Sequence, residues 1–76
     1  MNSNRIGKIV RFHRKISGLS REACARLAGV GKTAVYDVEH GKSTVQLDTL
    51  LKILAVMNIQ IELQSPFMKQ FEDEES

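Results

Sequence analysis

Lys32, Thr33, Tyr36 and Asp37 are the residues of this 76-residue chain whose types and spacing could do chemistry. Their spacing puts them on one face of a helix. A lysine near a helix start can donate to guanine O6/N7 or to a phosphate, and a threonine can offer its methyl to thymine or its hydroxyl to a base or phosphate. The Tyr36 hydroxyl can reach a phosphate. Asp37 is repelled by phosphates, so in a groove it would accept from a cytosine amino group; an intrahelical or loop salt bridge accounts for it equally well. Catalysis has no comparable set. A general base needs a second functional group beside it, neither histidine has an obvious nucleophile partner, and no glycine-rich phosphate loop follows a strand. One cysteine with the distant His13 and His40 makes no metal cluster, so no enzyme activity, metal or cofactor is expected.

The elements that must position this face lie in Ser20–Gly41, SREACARLAGVGKTAVYDVEHG. Ser20 is a good N-cap, and Cys24, Leu27 and Ala28 fall on one buried face. Gly29-Val30-Gly31 breaks the helix. Val35 and Val38 mark the buried stripe of the next helix, which Gly41 ends. Two short helices around a glycine-containing turn, the second showing polar side chains, form the arrangement that enters a DNA major groove.

Ahead of this unit, residues 3–16 read as a helix with Ile6, Ile9, Val10, His13 and Ile16 inward and Gly18 as its stop. Its charges, Arg5, Lys8, Arg11, Arg14 and Lys15, are all basic. Arg5, Lys8 and Arg11 either extend an electrostatic footprint or form a solvated face. Residues 46–57 read as a fourth helix with Leu47, Leu50, Leu51, Leu54 and Met57 as its stripe and Asn58 as its break. Ile59-Gln60-Ile61-Glu62-Leu63-Gln64 then alternates strictly, the pattern of a half-buried strand. No second strand exists to pair with it. We expect it to pair with its own copy about a two-fold axis, with Ile59, Ile61 and Leu63 roofing a shared core; packing as an extended segment on its own helices is the other solution.

At this length the chain is one domain, divided into a folded body over 1–65 and an acidic, flexible tail over 66–76. The body carries net charge +5 and the tail −3. Phe67 and Phe71, four residues apart in the tail, could anchor on a partner as one helical turn or fold back on the domain. No apolar run reaches ~18 residues and no signal-peptide pattern is present, so no membrane association is expected. One cysteine suits a reducing cytosol, which with a DNA partner places the chain in the cytoplasm at the nucleoid.

The segments Arg14–Ser20 (RKISGLS), ARLAGV at 25–30 and VEHG at 38–41 keep one register, and the chain over residues 5–57 resembles the Cro/C1-type (XRE) helix-turn-helix regulators. The resemblance implies an all-α, lambda-repressor-like bundle of four helices, followed here by the C-terminal strand. It implies that Arg14 and Glu39 bridge the first and third helices structurally. It implies that Arg21 touches a phosphate or base edge, that Lys32, Thr33, Tyr36 and Asp37 face the groove, and that Lys42 contacts the backbone. The partner would be double-stranded palindromic operator DNA, bound by a homodimeric repressor. With NIQIEL straight after the last helix, the chain looks more specifically like HipB-type antitoxins. That likeness implies an autoregulating antitoxin with a HipA-type kinase toxin as partner, met through Phe67 and Phe71; the alternative is a stand-alone XRE repressor. His13 stands where relatives often have an apolar residue, Cys24 where a larger aliphatic is usual, and Gly31 where a polar side chain is common.

Overall fold

A computed structural model describes residues 1–76. Five helices follow one another: α1 (Ser3–Ile16), α2 (Arg21–Ala28), α3 (Lys32–Glu39), α4 (Leu47–Val56) and α5 (Met68–Glu75). α3 packs against α1, α2 and α4, and α4 also packs on α2. Val10, Cys24, Ala25, Val35, Val38, Ile53 and Leu54 form the buried core of this four-helix body.

The starts of α1 and α2 are set by side chains. The Asn2 carboxamide accepts from the Arg5 N–H at 2.9 Å and the Ser20 hydroxyl from the Ala23 N–H at 3.0 Å. Each thereby satisfies a donor that the first turn leaves unpaired. The helix ends share one device. Gly18, Gly29, Gly41 and Asn58 all have positive φ (72°, 73°, 75° and 56°). The N–H that follows each of them donates five residues back: Leu19 to Arg14 at 3.1 Å, and Val30 to Ala25, Lys42 to Asp37 and Ile59 to Leu54 at 3.0 Å. This is the Schellman closure, and it terminates all four helices of the body at the residues that the sequence marks as stops.

α1 crosses α3 at Gly7. A Cβ there would lie 2.7 Å from the Glu39 carbonyl oxygen and closer still to that of Val38, so only glycine permits this approach.

The structure corrects several expectations. Residues 59–64 form no strand; a ladder needs a second chain or segment, and the single chain supplies neither. In the tail, Met68–Glu75 form α5, which buries no residue. The α4 stripe holds in part, with Leu50, Leu54 and Met57 on the core. Ile53 and Leu54 are buried, whereas Leu47 and Leu51 are 65% and 45% exposed. α4 is apolar around more than one face, and the body covers only one arc of it. Leu27 and Ile16 are exposed for the same reason, since nothing packs over the outer side of α2 or the last turn of α1.

Candidate nucleic-acid interface

α3 is two-faced because its inner side is fully committed. Val35, Val38 and Glu39 are buried, which turns Lys32, Thr33 and Tyr36 outward. Asp37 is half-buried on the same side as Lys42. The structure thus sets Lys32, Thr33 and Tyr36 on the exposed face of α3, with Asp37 and Lys42 beside it and Arg21 against Tyr36. Gly31, the N-cap of α3, provides no capping side chain, and its carbonyl oxygen accepts from the Ala34 N–H at 3.0 Å.

The charged residues are organised in three linked groups. The buried Glu39 carboxylate accepts from Arg14 Nε at 2.5 Å, Arg14 Nη2 at 3.0 Å and Arg21 Nε at 3.2 Å. Arg14 Nη1 donates to the Leu19 carbonyl at 2.8 Å. Burial pushes the Glu39 carboxyl upward, but the hydrogen bonds and charges of Arg14 and Arg21 outweigh it and hold the group below its usual range. The hydrogen bond to Glu39, set against burial, likewise raises Arg14 above its ordinary value. Lys32 Nζ donates to Glu22 Oε1 at 2.9 Å, and this bond lowers the Glu22 carboxyl. Lys42 Nζ sits 3.4 Å from Asp37 Oδ2, the loop salt bridge open to that aspartate.

Tyr36 is held as well. Its ring stacks on His40 at 3.8 Å between centroids, and the Arg21 guanidinium lies 5.5 Å from its centre. Arg21 is therefore anchored twice, by Glu39 and by Tyr36, with its side chain 31% exposed. Its remaining N–H groups are the ones available to a phosphate.

Sequence reasoning missed Glu22 and His40. His40 stands four residues after Tyr36, a spacing that carries the signal for a helical pair. Glu22 and Lys32 are ten residues apart across the turn, and no local rule links them.

His13 bonds through Nδ1 to the Ile9 carbonyl oxygen at 2.7 Å and is half-buried. Cys24 is fully buried, and burial raises its thiol, so thiolate chemistry at neutral pH is disfavoured. No helix is long and apolar enough to cross a membrane.

Residues 10–64 match the helix-turn-helix family HTH_3. The chain is also 36% identical over 61 residues to a protein of Sinorhizobium fredii named as an uncharacterized HTH-type transcriptional regulator, y4mF, covering 80% of each chain. The turn between α2 and α3 and the polar face of α3 lie inside both matches, and the chain belongs to the helix-turn-helix family HTH_3, the XRE-type DNA-binding regulators.

Proposed function

We propose that this protein is a homodimeric transcriptional repressor that reads a palindromic operator, each copy placing α3 in a major groove. The observation that carries the reading is the division of α3 into a buried face and an exposed polar one. Lys32 and Thr33 are the base-reading candidates, with Asp37 as an acceptor for cytosine. Arg21, Tyr36 and Lys42 take phosphates. DNA competes with Glu22 for Lys32 and with Asp37 for Lys42. Both pairs are exposed enough for water to screen them, so exchanging them costs little.

Dimerisation through Ile59, Ile61 and Leu63 is supported by the backbone. The N–H groups of Gln60 through Ser65 have no hydrogen-bond partner within the chain. Ile61 and Leu63 are 43% and 77% exposed. A two-fold pairing would satisfy the backbone and cover the side chains together.

The test is selection of bound sequences from random duplex DNA, followed by a salt titration. The expected product is a palindrome with half-sites about 34 Å apart or a multiple of it, bound less tightly as salt rises. Lys32→Ala is expected to cost ~1–3 kcal/mol on the selected site and to relax preference at one base pair. Equal binding of all sequences by both proteins would sink the reading. The antitoxin alternative rests on Phe67 and Phe71, which are 73% and 56% exposed. Deleting 66–76 would then abolish capture of a HipA-type kinase while sparing operator binding; unaltered capture would put the kinase on the body, and no capture by the full chain leaves a stand-alone repressor.

A further inference from the structure

We propose that α5 of one copy docks on the outer face of α1 of a second copy, so that each acidic tail covers the other's basic first helix. Two surfaces remain uncovered in the chain, and they are complementary. Lys8, Arg11, Phe12 and Lys15 line a shallow hollow on the outside of α1 at helical i, i+3, i+4 and i+7 steps. Phe12 and Ile16 there are 60% and 71% exposed. Phe67, Gln70, Phe71 and Glu74 line a matching hollow along α5 at the same steps. Lys8, Arg11 and Lys15 make no ion pair, and neither do Glu72, Asp73, Glu74 and Glu75. The α1 helix has no acidic residue at all.

The order of side chains selects an antiparallel arrangement. On α1 the apolar pair, Phe12 and Ile16, lies toward the C-terminal end, with Lys8 and Arg11 preceding it. On α5 the apolar pair, Phe67 and Phe71, comes first and the acids follow. Laid antiparallel, Phe67 meets Ile16, Phe71 meets Phe12, Glu72 meets Arg11 and Glu75 meets Lys8. The four-residue step on both helices keeps this register in phase.

A second copy is the occupant because the chain's own tail does not cover its own α1. α5 buries nothing. The molecule is 41 Å long and 22 Å across, with a radius of gyration of 14.2 Å. A compact domain of this length would have one of about 11 Å. Two copies can exchange the contact reciprocally, which closes the assembly. The contact is separate from the pairing proposed for residues 59–65.

The test uses the full chain, half of it ¹⁵N-labelled, treated with a zero-length carbodiimide at low salt. The expected product is a mixed-isotope peptide joining Lys8 or Lys15 to one of residues 72–75, with a yield that falls as salt rises. Linked peptides of a single isotope would mean that the tail folds back on its own chain. An absence of such peptides would mean that the face takes another occupant. Either result overturns the proposal. Charge reversal provides the control: Glu72→Lys with Glu75→Lys, which keeps the Lys8 amine and the Asp73 and Glu74 carboxylates, should lower the product while circular dichroism stays unchanged. Adding Lys8→Glu and Arg11→Glu to the same chain should restore a mixed-isotope product, now joining position 72 or 75 to position 8 or 11, and failure to restore it also counts against the docking.

Discussion

At the residue scale, Glu39 joins three parts of the body through one carboxylate: α1 by Arg14, the start of α2 by Arg21, and its own helix α3. Its carboxyl is held below the usual range, so its contribution to stability is complete above the unfolded glutamate value of about 4.3. That contribution fades as pH falls through the lower folded value. Glu39→Gln is expected to cost ~3–5 kcal/mol at neutral pH, because two guanidinium groups lose their partner. The gap between the two proteins should narrow below about pH 4.3, measured as the urea midpoint against pH. A constant gap would deny Glu39 this role. The outward residues of α3 were legible in the sequence because Val35 and Val38 alone orient so short a helix. The capture of Arg21 was less so, since its partners come from α3 and its distance from Glu39 depends on how α2 meets that helix.

At the element scale, the helix boundaries were the most legible part of the fold. Each stop depends on one left-handed residue and one bond spanning six residues, so local sequence contains the whole instruction. Asn58 is the one non-glycine among the four, and it carries the steric cost of a Cβ at positive φ. Asn58→Gly should therefore raise the melting temperature, by several degrees for a gain of ~0.5–1 kcal/mol in a domain this small; a fall would show that the side chain stabilises the turn. Gly7→Ala should act in the opposite direction. Its methyl meets carbonyl oxygens of α3 and forces α1 outward, at ~1–3 kcal/mol by chemical denaturation. The burial of Ile53 and the exposure of Leu47 and Leu51 on α4 were not legible. LDTLLKILAV offers apolar residues on several faces, and only the positions of α2 and α3 decide that Ile53 faces inward while Leu47 does not.

At the scale of the whole molecule, the core is small and much apolar surface stays open, including Leu27, Leu47, Leu51 and Leu63. A partner that binds only the folded chain adds stability by mass action. For a two-copy assembly, a hundredfold dilution should lower stability by about 2.7 kcal/mol, seen as a melting temperature that falls with concentration. A constant melting temperature would indicate a chain that stands alone. The alternating segment 59–64 was legible as a pattern, yet the single chain forms no ladder there, since a ladder would need atoms that one chain does not have. The local closure of every helix end in the body also sets a clock. Where native contacts lie close along the chain, folding takes microseconds to milliseconds. Encounter of two copies at about 100 nM, at ~10⁶ M⁻¹s⁻¹, takes on the order of ten seconds. Were the proposed dimer the form that binds an operator, the delay between synthesis and occupancy would be governed by how many copies exist, and hardly at all by how quickly each one folds.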